Sequence, residues 1–294
     1  MRQSSITTLL SYLGRTKTGK IRIFLLRGGL GNQLFQIAGM ASLSKSKNFY
    51  VVFCETDVKK NPRDKQGAAA LSFDVESWFS EQNSVCKSNK IMDFLIRVLR
   101  SKKVRKFSLK NINADLAIKH PEITIATIQG YLQSAKFPMA ISADIIKETF
   151  HQETDELINP ESVAIHIRAQ DGLQNSAMVL GLSYYRDGLM HVGANSESSI
   201  DVFSDDILYA QSFCAQLGNF RFNFPEIDLE LSPTELLLKL ASYNKIISSK
   251  STLCWWSTYI AQTRNPGAVI ISPWESDLHL ESWILLKNAS NNSS

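Results

Sequence analysis

The stretch Arg27-Gly28-Gly29-Leu30-Gly31-Asn32-Gln33-Leu34-Phe35-Gln36 lies between a strand-like run, residues 21–26, and a helix-like run, residues 34–43. This order of strand, glycine-rich loop and helix is typical of phosphate-binding units. Glycines allow a sharp turn close to a ligand, and the start of a helix offers free N–H groups to an anion. Asn32 and Gln33 add side-chain donors at the same turn. The glycines would equally serve a tight β–α connection that binds nothing.

Two other phosphate-binding patterns fit this part of the chain poorly. The dinucleotide fingerprint G-x-G-x-x-G would place its third glycine on Leu34, and we find no acidic residue at the end of the next strand-like run. Residues 14–20 satisfy most of a Walker A pattern, but Ile21 replaces the magnesium-binding Ser or Thr, and a strand-like run follows instead of a helix. The sequence therefore predicts neither an ordinary dinucleotide site nor a P-loop.

Length and composition predict a folded globular protein. A chain of 294 residues with 44% hydrophobic residues is long enough for about two domains. No apolar run approaches the roughly 20 residues that span a bilayer, and a cleavable signal peptide is not expected. The four cysteines lack C-x-x-C spacing and are predicted to be reduced, mostly buried thiols of a cytosolic protein: Cys54, Cys86, Cys214 and Cys254.

The charge is only mildly basic, with 32 basic and 28 acidic residues and a net charge of +4. This balance does not indicate nucleic-acid binding. The basic residues are concentrated in residues 97–110, after the amphipathic-looking residues 91–96. The 91–110 segment is either a solvated helix face or a peripheral contact with an anionic membrane surface.

Strand-like apolar runs alternate with helix-length segments along the chain. The runs are residues 21–26, 49–54, 123–128, 163–167, 200–203, 245–248 and 268–271. This alternation predicts an α/β class with parallel sheets. We divide the chain into an N-terminal domain, 1–155, a C-terminal domain, 156–287, and a disordered tail, 288–294. Residues 59–120 are less regular and are predicted to be insertions or helices at the edge of the first domain.

Polar side chains lie where two of the C-terminal strands end, the edge at which such sheets bind ligands. His166 and Arg168 share one face of a strand-like run, and Asp171 lies just beyond it. The planar guanidinium of Arg168 is suited to a phosphate, while His166 could be a structural, hydrogen-bonded residue. Asp205 and Asp206 follow the next strand, where each could bind a base or ribose or cap the helix that begins there.

The run Ser249-Lys250-Ser251-Thr252-Leu253-Cys254-Trp255-Trp256 predicts a helix that begins with hydroxyl-bearing residues. Such residues cap helices and can also contact a phosphate. The two tryptophans are interpreted as core anchors rather than as ligand-stacking residues.

Six motifs, in this order, resemble those of bacterial α-1,2-fucosyltransferases of glycosyltransferase family 11. They are Gly28 to Gln36, Gly130-Tyr131-Leu132-Gln133-Ser134, His166-x-Arg168-x-x-Asp171, Leu182-Ser183-Tyr184-Tyr185, Phe203-Ser204-Asp205-Asp206 and Ser251 to Trp256. The resemblance covers nearly the whole chain. It implies a GT-B-like fold of two Rossmann-like domains with mostly parallel sheets.

The resemblance also implies residue roles. The donor, GDP-β-L-fucose, would be held mainly by the C-terminal domain, with Arg168 on the β-phosphate. The hydroxyls of Ser251 and Thr252 would donate to the diphosphate, and Asp205 or Asp206 would contact guanosine. Gly29, Gly31 and Asn32 would complete the donor site from the N-terminal domain, which is also the acceptor side. No metal or other cofactor is implied.

Several positions depart from the family motifs. Ala169 replaces the second arginine of the HxRRxD-like motif, Gln170 its glycine, and Gly172 the following aromatic residue. Lys250 stands where asparagine is usual, and Cys254 where serine is usual. Lys250 could restore the missing positive charge near the diphosphate.

The implied activity is an inverting transfer of L-fucose to the 2-hydroxyl of a terminal galactose, in synthesis of an O-antigen or similar surface glycan. Asp171 or His166 would be the base, or would only orient Arg168. The implied acceptor is lipid-linked, and the implied location is the bacterial cytoplasm, at the inner face of the inner membrane. The alternatives are a related transferase with another sugar nucleotide or acceptor hydroxyl, and a binding protein without catalysis. The sugar beneath the galactose and the oligomeric state are not encoded in any motif.

Overall fold

The computed structural model describes residues 21–44, 50–55, 70–79, 84–88, 93, 110–113, 125–151, 161–169, 179–225 and 231–287. Contacts between Cα atoms divide the chain into unit 1, Met1–Ile145, and unit 2, Ile146–Ser294. No helix among these residues has both the length and the apolar character that a membrane span requires.

Unit 1 contains a five-stranded sheet. Its strands are β1 (Ile21–Leu25), β2 (Tyr50–Cys54), β3 (Ser84–Lys87), β4 (Lys110–Asn113) and β5 (Ile125–Gln129). They lie in the order β3-β2-β1-β5-β4, and every neighbouring pair is parallel. β1 and β2 are buried on both faces, as expected for parallel strands covered by helices.

Three helices accompany this sheet. Helix α1 (Leu30–Ser44) follows β1, and α2 (Lys136–Met139) and α3 (Ala143–Thr149) follow β5. Two short 3-10 turns occupy Ala70–Ser72 and Glu76–Trp78. Most of α1 is buried, which explains why its sequence is apolar on nearly every side.

The prediction of insertions or helices for residues 59–120 needs correction, because β3 and β4 lie within that region. Both are four-residue strands at the two edges of the sheet. Their sequences, Ser-Val-Cys-Lys and Lys-Asn-Ile-Asn, are too short and too polar to give a strand pattern. Edge strands are commonly short and polar, which limits edge-to-edge association.

Unit 2 contains a six-stranded parallel sheet. Its strands are β6 (Val163–Ile167), β7 (Ser199–Ser204), β8 (Arg221–Asn223), β9 (Lys245–Ile247), β10 (Val269–Ser272) and β11 (Ile284–Leu285). The helices between them are α4 (Leu182–His191), α5 (Ile207–Cys214), α6 (Pro233–Leu240) and α7 (Thr252–Arg264), and a 3-10 turn covers Ser276–Leu278. All neighbouring strands are parallel.

The spatial order is β8-β7-β6-β9-β10-β11. Numbered within the unit, this is 3-2-1-4-5-6, the order of doubly wound Rossmann sheets. The direction of winding reverses between β6 and β9, and ligands of such sheets bind beside this switch point. The prediction of an α/β chain with two Rossmann-like, mostly parallel sheets is confirmed.

All seven predicted strands are present, with ends that differ by one or two residues. The short edge strands β8 and β11 are additional. Trp255 and Trp256 are fully buried, and Trp255 donates its indole N–H to the Leu278 carbonyl at 2.8 Å. The interpretation of both tryptophans as core anchors is confirmed.

The division between the units falls at residues 145 and 146, earlier than the predicted boundary after residue 155. The last residues of α3 and Phe150, which follows the helix, belong to unit 2, and the contacts of Phe150 give the physical reason. The rings of Phe150 and Trp256 lie 6.2 Å apart, and Arg264 donates to the Phe150 carbonyl. The cysteine side chains that the structure describes, Cys54, Cys214 and Cys254, are buried and none of the three is in a disulfide. The 288–294 tail lies outside the described residues.

Candidate functional site

Three loops of unit 2 meet at the carboxyl edge of its sheet. They follow β6 at Ile167, β7 at Ser204 and β9 at Ile247, and β6 lies between the other two strands. Because parallel strands end at the same edge, the predicted residues after each strand come together here.

His166 and Ser249 join the loops across the switch point. The imidazole Nδ1 of His166 and the hydroxyl Oγ of Ser249 share a hydrogen bond of 2.6 Å, and both side chains are buried. The contact matches the structural, hydrogen-bonded role considered for His166. Sequence reasoning did not single out Ser249 as a partner, because nothing in a sequence pairs residues so far apart.

Burial, and then the nearby positive charge of Arg168, lower the pKa of His166 to about 3. The imidazole is therefore neutral near pH 7. Arg168 itself is partly exposed, as a ligand-binding side chain must be.

The two acidic residues after β7 have different structural roles. Asp206 is the N-cap of α5, and its Oδ1 accepts a hydrogen bond from the Tyr209 N–H at 3.0 Å. Asp205 Oδ1 accepts the backbone N–H of Ala169 at 2.6 Å, so it ties the β7 loop to the β6 loop. Of the two roles considered for each residue, Asp206 therefore has the helix cap.

The loop after β9 leads directly into α7. Ser251 is the N-cap, with its hydroxyl 3.5 Å from the Cys254 N–H and its backbone N–H donating to the Ser249 carbonyl at 2.8 Å. Thr252 is the first helical residue. A 13-residue helix thus begins beside the switch point, with its positive dipole end at this loop. Lys250 is partly exposed on the same turn.

Among the positions that depart from the fucosyltransferase motifs, Ala169 is only 1% exposed. Its methyl group packs inside the unit, so this position would have to change orientation to present a long side chain to solvent. Gln170, Asp171 and Gly172 lie outside the described residues, as does most of the 91–110 segment.

In unit 1, the predicted glycine loop connects β1 to α1. Gly28 has a φ of +73°, a left-handed conformation that favours glycine, whereas Gly29 is exposed with open space around it. Gly31 is buried in the first turn of α1. Gly28 therefore makes the turn, and Gly29 has room for a ligand.

The two glutamines of this stretch hold the loop rather than face a ligand. Gln33 donates to the Gly28 carbonyl at 2.9 Å and accepts the Ala70 N–H at 3.1 Å. Gln36 exchanges hydrogen bonds with the backbone of Arg27 at 2.8 and 3.0 Å. Both glutamines are fully buried, so the expectation of a ligand-facing donor at Gln33 is wrong.

Asn32 is partly exposed, and its Oδ1 accepts a hydrogen bond from Gln133 Nε2 at 2.7 Å. This contact joins the loops after β1 and β5, which are neighbours in the sheet. Gln133 belongs to the Gly130–Ser134 motif that the sequence had already singled out.

The interpretation that no acidic residue stands at the end of the second strand is wrong. Glu55, a buried acidic residue, directly follows β2, where the dinucleotide fingerprint requires an acid. The remaining argument against that fingerprint is the buried Leu34 at the position of its third glycine. Within the described parts of the chain, no three His, Cys, Asp or Glu side chains cluster as a metal site would require.

No protein-family model matches the chain. A curated relative is the O-antigen biosynthesis glycosyltransferase WbnK of Escherichia coli, with 28% identity over 141 residues, or 44% of this chain and 45% of WbnK. The match thus spans less than half the length of that relative. Similar solved structures include the fucosyltransferase NodZ from Bradyrhizobium, with a TM-score of 0.48 and 11% identity over 82% of this chain and 92% of NodZ. FUT1 of Arabidopsis thaliana, in complex with GDP, gives a TM-score of 0.47 and 9% identity over 87% of this chain and 73% of FUT1.

Proposed function

We propose that this chain is an inverting glycosyltransferase that moves L-fucose from GDP-β-L-fucose to the 2-hydroxyl of a terminal galactose, forming an α linkage. The meeting of Arg168, Asp205 and the start of α7 at the switch point of unit 2 carries the proposal. The similarity to an O-antigen glycosyltransferase over 141 residues supports the same class of reaction.

Arg168 is assigned to the β-phosphate of the donor. During transfer, negative charge grows on the departing diphosphate while the fucosyl carbon becomes cationic. A guanidinium fixed beside the leaving group stabilises that charge without a metal ion. The neutral state of His166 fits this role, since a second positive charge beside Arg168 is avoided.

The start of α7 is assigned to the same diphosphate. Its first-turn N–H groups lie at the end of the helix where anions are stabilised, and Thr252, the first helical residue, is assigned there as a hydroxyl donor. Ser251 already accepts a bond as the N-cap, but a hydroxyl that accepts one hydrogen bond still has a hydrogen to donate. The predicted contact of Ser251 with the diphosphate is therefore compatible with its cap.

Asp205 is the better candidate for guanosine, because Asp206 is occupied as a helix cap. Asp205 accepts the Ala169 N–H, and a carboxylate has about four acceptor sites, which leaves capacity for a base or ribose. Gly29, Gly31 and Asn32 of unit 1 are proposed as donor-binding residues, as the resemblance to the fucosyltransferase motifs implies.

A base is needed to take the proton of the acceptor hydroxyl. A pKa of about 3 makes His166 a weak base at neutral pH, so we assign it to orienting Arg168. The base is then proposed to be Asp171.

The acceptor is proposed to be a galactose-terminated, lipid-linked glycan of an O-antigen or similar surface polymer. The corresponding location is the cytoplasmic face of a bacterial inner membrane, with the 91–110 segment as a peripheral contact. The alternatives are a different sugar nucleotide or acceptor hydroxyl, and binding without catalysis.

Donor binding tests the first step of this proposal. Titration calorimetry of the full chain with GDP-fucose, GDP and ADP-heptose would show whether guanosine and fucose are selected. We expect Arg168→Ala to weaken GDP-fucose binding by at least about tenfold, the effect of losing one hydrogen bond to a charged group. Arg221→Ala, at an exposed arginine on the amino edge of the same sheet, is the control and should bind as the wild type does. Equal binding by both variants would remove Arg168 from the site.

A further inference from the structure

Two consecutive buried tyrosines of α4, Tyr184 and Tyr185, contact the backbone beside the candidate site. Their rings are nearly perpendicular, with centroids 5.1 Å apart, and both residues are only 1% exposed. Side chains of consecutive helical residues diverge by about 100°. One tyrosine can therefore reach β6 while the other reaches β9.

Each hydroxyl donates to a backbone carbonyl at the end of a different strand. Tyr185 Oη donates to the His166 carbonyl at 3.0 Å, and Tyr184 Oη donates to the Ser248 carbonyl at 2.8 Å. A longer contact of 3.3 Å joins Tyr184 Oη to the Ile271 carbonyl of β10. The pairing of β6 with β9 ends at Ile165 and Ile247, although His166 still pairs with Phe203 of β7 and the Ser248 N–H donates to the Ile271 carbonyl at 2.9 Å. The two tyrosine hydroxyls add hydrogen bonds beyond the last β6–β9 pair.

The two carbonyls lie next to the candidate site. His166 is two residues before Arg168, and Ser248 directly precedes the turn from Ser249 to Ser251. Burial raises the pKa of both tyrosines well above the ordinary value, so both hydroxyls keep their protons and can donate near pH 7.

Gly188 brings α4 close enough for this contact. A Cβ at Gly188 would lie 3.0 Å from Cγ2 of Ile247, a side chain that is fully buried in β9. Glycine at this point permits the close approach of helix and strand, and Tyr184 lies one turn earlier on the same face.

We infer that Tyr184 and Tyr185 are positioning residues: their hydroxyls fix the carboxyl ends of β9 and β6, and through them the loops that carry the α7 start and Arg168. The inference gives a role to the Leu182–Tyr185 motif and rests on the proposed function for its kinetic consequences. A site that stabilises a leaving diphosphate needs its donors fixed before the reaction begins.

The test compares three Tyr→Phe variants of the full chain. Tyr184→Phe and Tyr185→Phe each remove one buried hydroxyl below the site. Tyr243→Phe is the matched control, because Tyr243 is equally buried and donates to Asp201 Oδ2 at 2.5 Å, three residues before the end of β7. All three variants should lower the melting temperature.

Hydrogen exchange measures positioning without any ligand. We expect the Ala169 amide to exchange at least about tenfold faster in Tyr185→Phe, and the Ser251 amide in Tyr184→Phe, with both unchanged in Tyr243→Phe. Equal acceleration in all three variants, or in none, would overturn the inference whether or not the chain binds GDP-fucose.

Donor kinetics then connect positioning to the reaction. We expect Tyr184→Phe and Tyr185→Phe each to lose at least about tenfold in kcat/KM for GDP-fucose, and the control Tyr243→Phe to lose less than about twofold. A wild-type kcat/KM in Tyr184→Phe and Tyr185→Phe would also overturn the inference. No donor binding by the wild type would instead remove the proposed function, while the exchange result would still decide the role of the hydroxyls.

Gly188→Ala is the second variant, for use if a Tyr→Phe chain does not fold. It keeps both hydroxyls and moves the helix by the few tenths of an ångström that the new Cβ requires. Relative to the wild type, we expect the exchange of the Ser251 amide to be accelerated more than that of the Ala169 amide, because Gly188 packs on β9. Unchanged exchange at Ser251 would contradict the inference.

Discussion

The protonation state of His166 connects a single residue to the stability of the chain. Burial and the Arg168 charge lower its folded pKa to about 3, below the ordinary value of 6.5. Between these values the unfolded chain binds the additional proton. The contribution of the neutral imidazole is therefore present above pH 6.5 and is lost as the pH falls toward 3.

We expect the free energy of unfolding to fall over this window by up to about 1.4 kcal/mol per pH unit because of His166 alone. His166→Gln should lack this dependence, whereas His191→Gln, at an exposed histidine, should keep it. Urea unfolding of the three chains at several pH values between 5 and 7 makes the comparison. This range includes the upper part of the window between the two pKa values. Parallel curves for wild type and His166→Gln would contradict the burial argument.

Lys250 tests whether a residue that departs from the family motif restores a lost charge. We expect Lys250→Ala to weaken GDP-fucose binding by about fivefold, on the order of 1 kcal/mol, with less effect as salt is added. Lys239→Ala, at another partly exposed lysine of unit 2, is the control. Identical GDP-fucose affinities for Lys250→Ala and the wild type would contradict the hypothesis that Lys250 restores the lost charge.

Sequence reasoning identified the strand-end residues of unit 2 but not their partners. Arg168 and Asp205 follow from position alone, since any polar residue after a parallel strand lies at the ligand edge. The Ser249–His166 bond and the Asp205–Ala169 bond join residues 83 and 36 positions apart, and no local pattern encodes such pairs. The different roles of Asp205 and Asp206 likewise became visible only with the N-cap contact.

At the scale of elements, the β1–α1 connection depends more on Gly28 than on Gly29. Gly28 has a left-handed φ, and a Cβ there would lie 2.7 Å from Asn32 Nδ2, whereas Gly29 meets nothing within 4 Å. The flexible amide of Asn32 can move aside, but the backbone strain at Gly28 would remain.

We expect Gly28→Ala to destabilise the chain by about 1–2 kcal/mol, the usual cost of a left-handed L-residue. Gly29→Ala should be nearly neutral in stability while weakening GDP-fucose binding, if the loop contacts the donor. Urea midpoints and donor titration separate the two effects. A stable Gly28→Ala chain would show that the turn does not need glycine.

Strand prediction succeeded or failed according to burial. Runs that are buried along their whole length, such as β1 and β6, are mostly apolar and were predicted nearly to the residue. The edge strands β3, β4, β8 and β11 pair on one side only and contain two to four residues, so they leave no hydrophobic period. The sequence therefore predicts the sheet centres, which position the site, and misses the edges.

At the scale of the whole molecule, two parallel sheets each have a switch point with polar side chains at its carboxyl edge. In unit 2 the site carries Arg168 and the start of α7, which suit a diphosphate; in unit 1 it carries the Gly28–Asn32 loop tied to Gln133. Alternation of apolar runs predicted both sheets. The position of the division between units depended on the packing of Phe150 on Trp256, which the sequence does not reveal.

The most direct test is transfer by the purified full chain from GDP-fucose to a panel of β-galactosides, with EDTA present and the product linkage read by NMR. Arg168→Ala is the inactive reference and Arg221→Ala the active one. We expect an α-1,2-fucosylated galactoside from the wild type and from Arg221→Ala, and a rate lower by at least about 100-fold from Arg168→Ala. Transfer to another hydroxyl would contradict the linkage, transfer that EDTA abolishes would contradict the metal-independent role of Arg168, and donor binding with no transfer to any acceptor would contradict the claim of catalysis.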